Sequence, residues 1–90
     1  MAPDDPKVVV YTTEPCAYCR QAKSLLATRG IEYEEINLAR DPRGRSDLHA
    51  RTGRMTFPQI VIRGASIGGF QELLRADKAG ALREMLADAA

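Results

Sequence analysis

Val8-Val9-Val10-Tyr11, Thr12-Thr13-Glu14-Pro15, Cys16-Ala17-Tyr18-Cys19 is the stretch on which the fold turns. The β-branched run ending at Tyr11 is continuous rather than alternating, which predicts a central strand covered on both faces in a parallel or mixed sheet. Pro15 suits the first position of a helix, where its missing N–H has no intrahelical partner anyway. Ala22, Leu25, Leu26 and Arg29 keep helical spacing, so the helix runs from about Pro15 to Arg29, and Gly30 stands where a left-handed terminating residue belongs. Ile31, Tyr33, Ile36 and Leu38 alternate with acids closely enough to predict a second strand. Strand, helix and strand in so short a space form a right-handed crossover unit with parallel strands.

Further along, Ala39 to Arg45 is rich in Arg, Asp, Pro and Gly and reads as a loop, after which Ser46 or Asp47 caps a short helix ending before Gly53. Gln59-Ile60-Val61-Ile62-Arg63 is the third strand, Gly64-Ala65 a tight turn, and Ser66-Ile67 a short fourth strand antiparallel to the third. Leu73-Leu74 and then Leu82, Met85 and Leu86 mark one or two closing helices, divided near Gly80. The expectation is an α/β chain of order β-α-β-α-β-β-α, a four-stranded mixed sheet flanked by helices. Residues 1–6, with Pro3 and Pro6 around two aspartates, read as a flexible N-terminus, and residues 7–90 as one domain.

The 90 residues carry 13 Lys and Arg against 12 Asp and Glu, a net charge of +1. That balance gives no support for a nucleic-acid binder, which needs a clear basic excess. Hydrophobic residues at 44% and charged ones at 28% suit a globular chain rather than a disordered one. No apolar run approaches the ~20 residues of a membrane span, and the first residues lack the charged and apolar regions of a signal peptide. The expected setting is cytoplasmic, without a membrane partner, as a monomer. Cys16 and Cys19 are the two cysteines. In a reducing compartment such a pair cycles more readily than it staples, and a disulfide closing so small a loop removes little denatured-state entropy.

Residues three apart on a helix share a face, so the two sulfurs can meet. Cys16 sits at the mouth of the helix, where free N–H groups and the positive end of the macrodipole stabilise a thiolate. Cys19, one turn in, is expected to be more buried and less acidic: Cys16 attacks and Cys19 resolves. Lowering a thiol pKa from about 8.5 to about 5.5 raises the thiolate fraction at pH 7 roughly 30-fold, while intrinsic nucleophilicity falls about 15–30-fold. The two nearly cancel. The benefit is a better leaving group, which favours turnover. Tetrahedral zinc would need four ligands, and the chain offers no second cysteine pair and one histidine, His49, which nothing in the sequence brings near Cys16.

Val10-Tyr11-Thr12 before Cys16-Ala17-Tyr18-Cys19, then Thr56-Phe57-Pro58-Gln59-Ile60-Val61-Ile62, then Ile67-Gly68-Gly69-Phe70 with Glu72-Leu73, resemble the glutaredoxins over almost the whole chain from Lys7. The resemblance implies a thioredoxin-like fold and glutathione-dependent thiol–disulfide exchange. It implies Cys16 as nucleophile, Cys19 as resolving cysteine, and Pro58 as the cis proline of the T-x-P motif, lying against the active-site sulfurs. The backbone of Phe57, next to Thr56 at the head of that motif, would pair with glutathione in the manner of an added strand; on its apolar character alone Phe57 could equally be a core aromatic. Gly68-Gly69 permits close backbone approach before a helix N-terminus. There the γ-glutamyl end of glutathione would dock against the positions of Gly69, Phe70, Gln71 and Glu72. Many family members carry a lysine where Thr13 stands. Arg45 falls where the family often has Arg or Gln for the glycine carboxylate; the alternative is that Arg40, Arg43, Arg45, Arg51 and Arg54 form a solvated face. Gln71 lacks the charge or hydroxyl common at its position. Tyr18 would stack beside the substrate and Arg20 would add positive potential, or both are surface residues.

Two functions follow from the resemblance. In the first, Cys16 takes a glutathionyl group from a glutathionylated protein or opens a protein disulfide, and glutathione as co-substrate regenerates it. In the second, Ala17 in place of the family's common proline permits a [2Fe–2S] cluster between two subunits, with Cys16 of each as metal ligand and two glutathiones completing the set. A third reading, a thioredoxin-like donor served by a reductase enzyme, fits the Gly68-Gly69-Phe70 turn poorly.

Overall fold

The computed structural model describes residues 7–87, so the terminus read at residues 1–6 lies outside the described residues. Four strands form one mixed sheet: β1 (Val8–Thr12), β2 (Glu34–Asn37), β3 (Gln59–Ile62) and β4 (Ala65–Gly68), in the order β2-β1-β3-β4. β1 pairs parallel with β2 and antiparallel with β3, which places the apolar run in the middle of the sheet as its sequence predicts. Side chains alternate between the two faces of a strand. On one face Val8 and Val10, with Ile60 and Ile62 of β3, form the core against Ala22 and Leu26 of helix α1 (Ala17–Thr28), Leu73 of α3 (Phe70–Lys78) and Leu82 of α4 (Ala81–Leu86). On the other face Tyr11 meets α2 (Pro42–Thr52), whose Arg51 guanidinium lies 5.7 Å from the ring centroid. The second strand is shorter than expected; Ile31 and Tyr33 pack against the core before it begins.

Three local readings are corrected. Helix α1 begins at Ala17, not Pro15. Cys16 has extended backbone (φ −156°, ψ 100°) and caps the helix with its own sulfur, which accepts from the Cys19 N–H at 3.1 Å and leaves Pro15 outside. Arg29 is the C-cap residue, and Gly30 at φ +69° is the expected left-handed position. Helix α2 begins at Pro42 and is capped by Asp41, whose carboxylate accepts from the Gly44 N–H at 2.8 Å, so neither Ser46 nor Asp47 is the cap. Asp-Pro is a strong helix start, with an oxygen acceptor followed by a residue that needs no N–H partner, and the loop-like composition around it concealed this. The β3–β4 turn falls at Arg63-Gly64, one residue earlier than read. Both have positive φ (51° and 85°), the geometry of a tight hairpin turn, and Arg63 is the one described non-glycine residue that adopts it. Gly80 separates α3 from α4 as expected.

Candidate active site

The two ends that matter are the start of α1 and the start of α3, brought together by the sheet between them. Cys16 and Cys19 are joined in a disulfide with Cα atoms 5.2 Å apart. Cys16 is half-buried and Cys19 only 2% exposed, so an incoming thiolate can reach the first sulfur and not the second. The first turn of α1 carries no acidic side chain to oppose an anion at Cys16. Across from it, the Phe57 carbonyl oxygen lies 3.8 Å from Cys16 Sγ. The Phe57–Pro58 peptide is cis, and Pro58 is buried. Gln59 anchors this segment from beneath: it is 1% exposed, and its side-chain amide donates to the Arg54 carbonyl at 3.0 Å.

On this side of the disulfide a groove of about 220 Å³ is lined by Tyr18, Arg54, Thr56, Phe57, Pro58, Gly69, Phe70, Gln71 and Glu72. Eight of those nine are candidates from the sequence; Arg54 was missed, although it stands two residues before Thr56. The exposed Tyr18 ring stacks on Phe70, centroids 5.9 Å apart at 24°, tying the start of α1 to that of α3. Gly69 is a close approach: a Cβ there would lie 3.3 Å from the Pro58 carbonyl oxygen. Glu72 Oε1 accepts from the Gly69 N–H at 2.7 Å, and that backbone bond, foremost, holds its carboxyl below the usual carboxylate range. Arg45 does not line this groove. It lies in a neighbouring depression of about 350 Å³ with Arg54, Met55 and Phe57, and its guanidinium donates to the Leu38 and Ala39 carbonyls at 2.6 and 3.0 Å.

A larger depression of about 800 Å³ lies at the other side of the disulfide, where Thr13, Arg20, Lys23 and Glu35 join the two cysteines. Glu35 accepts from the buried Thr12 hydroxyl at 2.8 Å and from Lys23 at 3.0 Å; these hydrogen bonds, the hydroxyl's first, keep its carboxyl low. Sequence reading gave no role to Lys23 or Glu35, which stand on α1 and β2 and meet only in the folded chain.

A family model described as glutaredoxin matches residues 8–67. The chain belongs to the glutaredoxin family. Glutaredoxin 3 of Escherichia coli (strain K12) is 38% identical over 79 residues, spanning 88% of this chain and 95% of the relative. Among solved structures, the holo form of glutaredoxin C1 from Populus tremula x tremuloides superposes with a TM-score of 0.84 at 34% identity, covering 94% of this chain and 87% of that one. A buckwheat glutaredoxin–glutathione complex gives 0.83 at 31% identity, covering 90% and 76%. The fold is therefore thioredoxin-like, and this glutaredoxin-family chain, with its C-x-x-C pair joined, is a thiol–disulfide oxidoreductase.

The Glu72 cap has a pH signature. A carboxyl held low in the folded state contributes stability that is present above the unfolded value, about 4.3, and is lost as pH falls through the folded one. Urea unfolding of the native chain and of Glu72→Gln should therefore differ at pH 7, by less than about 1 kcal/mol, and converge as pH drops from about 5 toward 3. A gap that stays constant over that range would show that the carboxylate charge contributes nothing to the start of α3.

Proposed function

We propose that the chain is a dithiol, glutathione-dependent oxidoreductase acting in the cytoplasm on glutathionylated proteins and protein disulfides. The observation that carries this is the reachable Cys16 sulfur at a helix N-cap, 3.8 Å from the carbonyl oxygen of Phe57, which lines the groove built with Tyr18, the rest of the 56–58 segment and the 69–72 segment. A glutathione is also what the buckwheat relative's structure contains. In the reduced enzyme the Cys16 thiolate attacks the glutathionyl sulfur of a substrate, and the substrate cysteine leaves as its thiolate. A second glutathione thiolate attacks the mixed disulfide, releasing glutathione disulfide and the Cys16 thiolate; two electrons pass from glutathione to substrate. With a protein disulfide, Cys19 attacks the Cys16 mixed disulfide from within the chain and gives the bonded pair seen here. The groove supplies what a glutathionyl group needs: backbone beside Pro58 for an added strand, N–H groups at the start of α3 for a carboxylate, and Arg54 for another, with Arg45 in the adjoining depression.

Among the described residues no group of three or more His, Cys, Asp or Glu side chains is placed to hold a metal ion, and the accessible sulfur is bonded to Cys19. The cluster-carrying alternative takes one cysteine from each of two subunits, and nothing in the geometry favours it. Also among the described residues, no helix is long and apolar enough to cross a membrane. The test is a coupled assay on a glutathionylated peptide. Glutathione with its reductase should sustain turnover and thioredoxin reductase alone should not; the opposite pattern overturns glutathione dependence while leaving the exchange chemistry intact.

A further inference from the structure

Between residues 40 and 54 the chain carries Arg40, Arg43, Arg45, Arg51 and Arg54 against Asp41 and Asp47, a local charge of 5 − 2 = +3, so the remainder carries 1 − 3 = −2. The positive charge is thus gathered on α2 and its two flanks. Helix α2 buries a single residue, Leu48, half-buries Gly44, Arg45 and Thr52, and exposes the others. Elsewhere Lys23 pairs with Glu35 and Arg29 with Asp77. Among the described residues none of the five arginines forms a direct ion pair with a carboxylate; Arg45 is held by carbonyl oxygens, Arg51 by the Tyr11 ring and hydroxyl, Arg54 acts on the Glu72 carboxylate from a distance, and Asp41 spends its carboxylate on the helix cap. This basic face runs into the active site. Arg54 lines both the groove beside the disulfide and the depression under α2, and next to it Met55 is 74% exposed. Phe57, which also lines both, carries the carbonyl that faces Cys16 Sγ.

We propose that α2 with Arg54 and Met55 is the docking face for protein substrates, and that it selects chains carrying a cluster of Asp and Glu on one side of the oxidised cysteine. This rests on the exchange reading above and adds a substrate class to it. A polypeptide whose cysteine meets Cys16 must lay one flank across Phe57 and Met55 toward α2, where the exposed Arg40 and Arg43 guanidinium groups are suited to bidentate contact with carboxylates. Exposed ion pairs add little to affinity, so the selectivity lies chiefly in association rate, which complementary fields raise by about 10–10³-fold at low salt. That suits an enzyme that must release its product. The same arginines could meet nucleic-acid phosphates, but the chain is nearly neutral and α2 carries no Phe, Tyr or Trp, only His49, for a base to stack on.

Two fluorescent peptides that share one glutathionylated cysteine, the first flanked by Asp and Glu and the second by Lys, provide the test. At about 0.01 M salt the acidic peptide should react with a kcat/KM about tenfold above the basic one; at about 1 M salt, where the Debye length is about 3 Å, the preference should vanish. Arg40→Glu with Arg43→Glu should abolish it as well while leaving turnover of a small glutathionylated thiol unchanged, since neither residue touches the groove and acids are favourable at a helix start. The same peptides with serine for cysteine, titrated by anisotropy, read docking without turnover. If turnover with glutathione fails but acidic-peptide binding keeps its charge dependence, the docking face stands and the glutathione reading falls. Equal rates and affinities for the two peptides, a preference that survives the double reversal, or tighter binding of a single-stranded oligonucleotide than of the acidic peptide would overturn the proposal.

Discussion

Cys16→Ser should lower deglutathionylation of a small substrate by about 10³-fold or more, whereas Cys19→Ser should retain it and lose the reduction of protein disulfides. The asymmetry comes from burial and from the helix end. Cys16 is the sulfur that solvent reaches, and in the extended conformation of an N-cap it holds the Cys19 N–H at 3.1 Å, with the further free N–H groups of the first turn behind it. A thiolate there is stabilised by those donors and by the positive end of α1. A serine hydroxyl at the same place is not appreciably ionised at neutral pH, so the helix end has no anion to hold and the first attack is lost. Cys19, 2% exposed and one turn deeper, meets no intermolecular disulfide; its one reachable partner is the sulfur of Cys16. Glutathionyl transfer therefore proceeds without it, and only a mixed disulfide with a bulky protein, which a second glutathione reaches slowly, requires it. Rates from the glutathione-coupled assay decide the matter. Activity kept in Cys16→Ser and lost in Cys19→Ser would reverse the two roles.

What the sequence revealed and what it hid divide along the range of the interactions. Val8 to Tyr11 as a central strand, Gly30 as the terminator of α1 and Gly80 as the break before α4 all rest on neighbours in the chain, and each stands where it was read. Pro15 and the cap of α2 were misplaced by the same route. A helix start depends on which side chain folds back onto a backbone N–H; at α1 that is a sulfur, which cap preferences do not favour, and at α2 it is an aspartate inside a run whose composition says loop. The groove is a different matter. Tyr18, Thr56 and Phe70 come from three separate segments, and no periodicity brings Tyr18 to stack on Phe70; the family resemblance gathered them before any contact could. Arg54 and the Lys23–Glu35 pair show the remaining limit. Charged surface residues have no signature of their own, and nothing in the sequence marks Arg54, which lines two depressions, apart from the other arginines near it.

Gly68→Ala should cost about 2–4 kcal/mol of stability, combining backbone strain of about 1–3 kcal/mol with a lost helix cap of about 1 kcal/mol, a large share of the 5–15 kcal/mol typical of a folded domain. Gly68 has φ +115°, a conformation that a residue with a Cβ rarely adopts. The added methyl would also lie 2.7 Å from Glu72 Cγ and 2.9 Å from Glu72 Oε1. That oxygen is the one bonded to the Gly69 N–H, so relief of the contact pulls the cap away from the start of α3. Phe70 and Gln71, whose backbone N–H groups open the helix beside the groove, then lose their fixed orientation. Removal of one or two charge-assisted contacts to a carboxylate there should raise KM for a glutathionylated substrate about tenfold. Gly80→Ala separates strain from site: Gly80 has φ +78°, but a Cβ there meets nothing within 4 Å and the residue lies outside the groove. It should lose stability in urea while keeping the native KM, and the alkylation rate of Cys16 should be unchanged in both variants. A native KM in Gly68→Ala would mean that the start of α3 does not receive the substrate's carboxylate, and the groove would then have to bind glutathione through its Phe57 side alone.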